Sequence, residues 1–547
     1  MKPASSRISL AVLLTAFIAI ASLYSGSLTQ AQSAADLTPQ EKRGKQFYQK
    51  GESASGGAVA ILSGDLELPT ASFPCSNCHG MKGEGGNEGG LQPPPLDWAS
   101  LTSRHRSALT RNERPPYNEA TLARAISSGV DSSGARLHPG MPRYKMAPAE
   151  MADLIAYLKR IGTEADREPG LADDVIRVGA ALPLTGTYAR IGEDVKAALG
   201  AYFAAVNAQG GIYGRKFELV VQDSGGQEKG TAEATRRLID QDHVFALVGS
   251  FEPLGREVSG EFLKQSHEFL KRVEVPLIGP VTLSPPAQAV PNRFVFYLLP
   301  SFADQASALV DFINSEQSRP KDRPTRLAVV YGEGVPVRDA LEGLRSQARL
   351  YSMQIVSEQA YMAGPLPWPT VAAALVSAKP DYVFYFGGND EFTRLIQEMD
   401  RAGLESTLLT SAIMVGRNAF NAAPAIARRT YLSYPTTVPN KDDYAEFLLL
   451  MQKAGVELRS TVFQTLAFAS AKVLVEATKN SGRQITRNSL INSLEALREF
   501  KTGVVPPVTF GPNRRIGTTG SYIVGVDQNK KEFVPLTGLI VPKKSGQ

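Results

Sequence analysis

The pattern of apolar and polar positions changes character near residue 165. Ahead of that point the apolar residues recur at helical spacing in a few short stretches. Lys2 and Arg7 precede an apolar run, Ile8 to Leu23, broken by Ser9, Thr15 and Ser22. Small and polar residues follow it, the layout of a secretion signal cleaved after Ala31 or near Ala34. The run is only slightly short of a membrane span, so a retained anchor is the alternative. Leu37-Thr38-Pro39-Gln40-Glu41 reads as a helix start, with Thr38 as N-cap, Pro39 in the first turn and Glu41 three residues on. That helix is expected to run to about Lys50 and stop at Gly51. Asn118 to Ser128 carries Leu122, Ala125 and Ile126 on one side, and Ala147 to Ile161 carries Met151, Leu154, Ile155 and Leu158. Glu52 to Pro74 is expected to form a surface hairpin or loop.

Thr163 to Asp174 is polar, with Pro169-Gly170 at its middle, and reads as a linker. Beyond it strands and helices alternate. Strands are expected at Val175–Leu182, Phe217–Gln222, Phe245–Gly249, Leu327–Tyr331 and Tyr382–Phe386. Helices are expected at Asp194–Asn207, Glu228–Gln241, Val337–Arg349 and Asp390–Ala402. This alternation implies parallel sheets with helices on both faces. The stretch of about 370 residues exceeds one comfortable α/β domain, which implies two lobes.

Chemistry narrows the first part. The chain has 547 residues and only two cysteines, Cys75 and Cys78, in Cys75-Ser76-Asn77-Cys78-His79-Gly80. Two thiols at this spacing can each form a thioether to one haem vinyl group, and the histidine after the second thiol can ligate the iron. A redox disulfide or half a zinc site would use the same two thiols. Zinc needs two further ligands, and no second CxxC or HxxxH is present. A redox CxxC opens a helix in a βαβ pattern, whereas this motif lies in a Gly/Pro-rich stretch. One covalent haem c is the expectation, with no structural disulfide. Gly83 to Pro95 lacks the Lys-Ser/Thr ending of a phosphate loop and suits a chain wrapped round a haem edge. The net charge of +5 includes the leader's basic residues and implies no nucleic-acid partner. His105, His243 and His267 stand alone, with no serine or cysteine nucleophile motif nearby, so catalytic turnover is not expected.

The first part resembles class I cytochromes c, on CxxCHG, the Met141-Pro142-Arg143-Tyr144 segment and a last helix reading DLIAYLKRI. The resemblance implies an all-α domain whose last helix crosses its first. It also implies His79 as proximal iron ligand and Met141 as distal ligand, with Met146 and His138 as competitors. Both axial positions are then filled, which leaves one-electron transfer.

The second part resembles the type I periplasmic solute-binding proteins, in their branched-chain amino acid receptor (Leu/Ile/Val-binding protein) branch. The resemblance rests on Pro183-Leu184-Thr185-Gly186, on Asn207 to Arg215 (NAQGGIYGR), on Leu219 to Asp223, on Leu247-Val248-Gly249-Ser250 and on Pro276 to Pro280. It implies two Rossmann-like lobes clamping a ligand at the strand carboxyl ends. The chain departs from the family where the ligand would sit. Pro253 stands where a serine is usual, Val281-Thr282-Leu283-Ser284 replaces an alanine-threonine pair, and Ser411-Ala412-Ile413-Met414 carries no acid to face an ammonium. Phe251, Ile413 and Met414 suggest an apolar cleft. Glu252, Thr282, Ser284, Asn389 and Asp390 are its polar candidates.

These readings divide the chain into a signal (1–34), a mono-haem cytochrome c domain (36–165), a linker (166–174) and an α/β solute-binding domain (175–547) whose second lobe is about 300–436. The expected function is periplasmic one-electron transfer joined to a receptor for a non-amino-acid solute. A receptor feeding an ABC importer with an accessory haem domain, or a ligand sensor, is the alternative. The implied partners are a small-molecule ligand, a periplasmic redox partner (another cytochrome, an oxidase or a dehydrogenase) and an ABC permease.

Overall fold

A computed structural model describes residues 37–61, 66–86, 92–106, 113–253, 259–282, 292–317, 319–361, 368–440 and 442–543. The expected secretion signal and Ser284 lie outside the described residues. The chain divides into two compact units between Arg167 and Glu168.

In the first unit, α1 (Pro39–Lys50) starts as its sequence dictates. The Glu41 amide donates to the Thr38 hydroxyl, the Glu41 carboxylate accepts from the Thr38 amide at 2.7 Å, and Gly51 closes the helix at φ 66°. Then come a single turn, α2 (Ser76–His79), and α3 (Trp98–Leu101), α4 (Glu119–Ser128) and α5 (Pro148–Leu158). Helices α1 and α5 meet at Gly44. A Cβ there would lie 2.0 Å from the Asp153 carbonyl oxygen and 2.7 Å from Tyr157 Cβ, so the contact requires a glycine. Beside it, Arg43 donates to both oxygens of Asp153 at 2.6 and 2.9 Å. Phe47, Tyr48, Leu122, Ile126, Leu154 and Tyr157 fill the core.

The stretch before the cysteines adds strands to this helical unit. β1 (Val59–Ile61) and β2 (Glu67–Pro69) pair as an antiparallel hairpin. β1 also pairs, antiparallel, with β3 (Arg143–Lys145), in the register Val59–Lys145, Ala60–Tyr144 and Ile61–Arg143.

The second unit has two sheets. In the first lobe, β4 (Val175–Leu182), β5 (Lys216–Asp223), β6 (Ala246–Val248), β7 (Leu277–Ile278) and β8 (Val295–Phe296) lie in the order β8-β7-β6-β4-β5, all parallel. Helices α6 (Ala189–Ala208), α7 (Glu228–Asp240) and α8 (Gly260–Val273) connect its strands. The helix expected from Asp194 begins at Ala189, because Tyr188 at its N-cap offers no side-chain hydrogen bond as a start signal. The second lobe contains α9 (Phe302–Ser315), β9 (Arg326–Tyr331), α10 (Val335–Leu350), β10 (Gln354–Ala360), α11 (Trp368–Ala378), β11 (Tyr382–Phe386) and α12 (Asn389–Arg401). Then follow β12 (Thr407–Ser411), the one-turn α13 (Ala412–Val415) and β13 (Thr430–Tyr434). Its strand order is β10-β9-β11-β12-β13, parallel, extended antiparallel by β14 (Tyr522–Asp527) and β15 (Glu532–Pro535). The second lobe therefore takes in residues near the end of the chain as well as its middle. Helices α14 (Ala445–Lys453), α15 (Thr461–Asn480) and α16 (Arg487–Glu495) complete the first lobe. Phe447, Phe468, Leu474 and Leu490 are buried in one cluster with Val178, Leu199 and Phe245.

Candidate haem-binding site and solute cleft

One helical turn brings the three motif residues together. The His79 amide donates to the Cys75 carbonyl at 3.0 Å, closing the turn that carries Cys75, Cys78 and His79. The His79 ring is buried, and its Nδ1 lies 2.9 Å from the Pro94 carbonyl oxygen. A carbonyl only accepts, so Nδ1 carries the proton and Nε2 keeps its lone pair. Burial holds the imidazole pKa below its ordinary value, which keeps the ring neutral and able to ligate. Pro94 reaches His79 because the Gly-rich stretch folds back. The Gly85 amide donates to the His79 carbonyl at 2.9 Å, and Leu96 donates to Gly83 at 2.7 Å. Gly85 has φ 80° and would press a Cβ to 2.7 Å from the Pro93 carbonyl oxygen.

The thiols are not joined in a disulfide. Burial pushes the Cys75 thiol up to about 12. A redox-active CxxC needs the opposite, a depressed thiol. Phe73, Leu96, Trp98, Leu137, Met146 and Met151 pack partly exposed against the same core as Cys75. Two thiols and a neutral imidazole with an available nitrogen, with Cys75 packed against the unit's apolar core, form a donor set that fits a haem.

The sixth-ligand candidates stand differently. Met141 is half-buried; its amide donates to the His138 carbonyl at 3.0 Å and its carbonyl accepts from Arg143. Met146 sits between β3 and α5 and packs against the unit's core. His138 is exposed, and its Nδ1 accepts the Gly140 amide at 3.1 Å.

In the second unit the cleft candidates separate into two groups. Phe251 is fully buried, with Tyr188 and Phe463 rings 5.6 and 6.5 Å from its own. Glu252 is 8% exposed and accepts from the Tyr297 hydroxyl at 2.9 Å; Thr282, also buried, hydrogen-bonds the same carboxylate. Burial raises this carboxyl to about 7 in spite of those bonds. His267 Nε2 lies 2.9 Å from the same Tyr297 oxygen, and burial lowers its pKa to about 4. Glu252, Thr282, Tyr297 and His267 thus belong to one buried polar chain, with Glu252 committed inside the first lobe. No motif pointed to Tyr297; an aromatic with a polar tip beside a buried acid was the available signal.

The second-lobe candidates lie at strand ends. Asn389 and Asp390 are exposed at the start of α12; with its amide turned so that the nitrogen faces them, Asn389 donates to the Met414 and Val415 carbonyls at 2.9 and 2.7 Å. Met414 packs between the two core clusters of the second lobe. Ile413 packs against both the first lobe's core and a second-lobe cluster, which puts the turn after β12 at the seam between the lobes. Sequence reasoning also passed over the partners of Asp223. Its carboxylate accepts from the Leu184 amide at 2.9 Å, the Thr185 hydroxyl at 2.7 Å and the Gly225 amide at 2.8 Å, fixing the Pro183–Gly186 turn at the carboxyl end of β4.

Residues 175–531 match the periplasmic binding protein family, and residues 42–162 match cytochrome c. Leu/Ile/Val-binding protein homolog 2 of Brucella abortus (strain 2308) is 24% identical over 309 residues, covering 56% of this chain and 79% of the relative. Among solved structures, the fatty acid ABC transporter substrate-binding protein from Thermomonospora curvata aligns with a TM-score of 0.54 at 18% identity, over 68% of this chain and 94% of its own. A branched-chain amino acid ABC transporter protein from Thermus thermophilus with bound valine gives 0.54 at 19% identity, over 68% and 97%. Among the described residues no helix is long and apolar enough to cross a membrane. The chain belongs to the periplasmic binding protein family and carries, ahead of that two-lobed α/β unit, a cytochrome c domain.

Proposed function

We propose that this protein is a periplasmic electron carrier joined to a small-molecule receptor, exported by the signal in residues 1–34. Cys75 and Cys78 hold one haem as thioethers, His79 Nε2 ligates its iron, and Met141 takes the sixth position. The bound group supplies reversible one-electron chemistry. Pro94 orients the imidazole, the apolar core against which Cys75 packs limits access of water, and a thioether ligand favours the reduced iron. The observation that carries this reading is the bond between His79 Nδ1 and the Pro94 carbonyl, which leaves Nε2 for a metal. An optical redox titration of the purified protein tests it. A single one-electron wave in the haem bands is expected; no redox-active visible absorbance overturns it.

The receptor unit takes a solute without an ammonium group, such as an organic acid, an alcohol or an aromatic compound. Ser411–Met414 supplies no acid at the lobe seam, and Glu252 is engaged by Tyr297 and Thr282. A desolvated ammonium without a counter-charge costs several kcal/mol. The fold accommodates such ligands, since one structural neighbour is a fatty acid receptor. A thermal-shift screen should find its best stabiliser outside the α-amino acids. Micromolar binding of leucine or valine would instead support the second reading, a receptor for an ABC permease, which the similarity to Leu/Ile/Val-binding proteins favours.

A further inference from the structure

We propose that the insertion between α1 and the cysteines is a clasp that fixes the segment carrying the sixth iron ligand, with Glu150 as its positioning residue. This rests on the reading above that Met141 ligates the iron. The insertion grips the chain that follows Met141 at two places. Upstream of Met146, β1 pairs along the whole of β3, which begins two residues after Met141. Tyr144 at the centre of β3 donates its hydroxyl to the Phe73 carbonyl at 2.7 Å, where the insertion ends. Downstream, Glu150 lies in the first turn of α5 and is 5% exposed. Its Oε2 accepts from the Ala147 amide at 3.1 Å, the ordinary capping contact. Its Oε1 accepts three further bonds, all from the insertion: the Ser53 hydroxyl at 2.5 Å, the Ser55 amide at 3.0 Å and the Ser55 hydroxyl at 3.0 Å. The base of the insertion is locked in turn, since Thr70 donates its hydroxyl to the Gly51 carbonyl at 2.6 Å.

Capping alone needs one carboxylate oxygen. The second ties the start of α5 to the insertion, so Met146 is flanked by two ties and the chain leaving Met141 is held at β3 and again at α5. A thioether is a weak, neutral ligand, and its retention depends on how rarely the segment swings away. An added ligand reaches ferric iron only in the open state, so its apparent affinity reports the open fraction.

The test is an imidazole titration of the ferric, full-length protein, followed by loss of the weak sulfur-to-iron charge-transfer band. Glu150→Gln and the double variant Ser53→Ala/Ser55→Ala weaken bonds to a buried carboxylate, and each is expected to tighten apparent imidazole affinity roughly tenfold. Two variants guard against one failing to fold. Asp166→Asn is the control: Asp166 accepts from the Gly162 amide and the Tyr157 hydroxyl away from this segment, so it should lower the melting temperature and leave imidazole affinity unchanged. Equal affinity in wild type and both clasp variants overturns the proposal while leaving methionine ligation intact. A wild-type protein with attached haem but no charge-transfer band overturns the methionine ligand itself, and the clasp with it.

Discussion

Glu252→Gln should change the pH dependence of stability in a direction fixed by the buried chain it belongs to. The Tyr297 hydroxyl lies 2.9 Å from both Glu252 Oε1 and His267 Nε2. Burial raises the Glu252 carboxyl from 4.5 to about 7, and lowers the His267 imidazole from 6.5 to about 4. The folded state therefore binds the Glu252 proton more tightly than the unfolded state does. That stabilising contribution is full below pH 4.5 and is lost as pH rises through about 7. The folded state binds the His267 proton less tightly. That contribution is present above pH 6.5 and is lost as pH falls through about 4. Each amounts to about 3 kcal/mol across its window. Between pH 4.5 and 6.5 the two slopes oppose each other, so these groups leave the wild type nearly flat there. A glutamine stays neutral and can still accept from Tyr297. The variant should then show the His267 slope alone, gaining about 3 kcal/mol relative to wild type as pH rises through the Glu252 window. Urea unfolding at a series of pH values, followed through Trp368 of the second unit, measures this. His267→Gln should give the opposite slope. Parallel pH profiles for Glu252→Gln and wild type would refute the reasoning.

Gly44→Ala should destabilise the first unit by about 1–3 kcal/mol, since its methyl would overlap the Asp153 carbonyl where α1 meets α5; a thermal melt of the haem-loaded protein reads it. Met141→Ala should abolish the sulfur-to-iron band and lower the reduction potential. If Met146→Ala does so instead, the ligand is Met146; if neither does, His138 becomes the candidate.

Local signals carried well from sequence to structure. Thr38, Pro39, Glu41 and Gly51 bracket α1 as their capping chemistry requires, and β4 and β11 run over the expected residues. Signals that depend on distant partners did not carry. Gly44 reads as a flaw in a helix until Asp153 is seen against it. The insertion reads as a hairpin or loop, but its pairing with Arg143–Lys145 spans more than 80 residues, beyond the reach of periodicity. Pro94 lies in a Gly/Pro-rich stretch with no pattern to single out one carbonyl for His79. Glu252 illustrates the limit at the cleft. It reads as a polar cleft candidate, and its bond from Tyr297, 45 residues on, leaves no pattern in the sequence.

The central claim is that Cys75, Cys78 and His79 hold a haem. The most direct measurement is the intact mass of the exported protein, produced with a cytochrome maturation system, combined with its alkaline pyridine spectrum after acid extraction. One haem's added mass per chain and a c-type spectrum that survives extraction are expected, both lost in Cys75→Ala/Cys78→Ala. A chain at polypeptide mass, with any haem removed by extraction, would contradict the account.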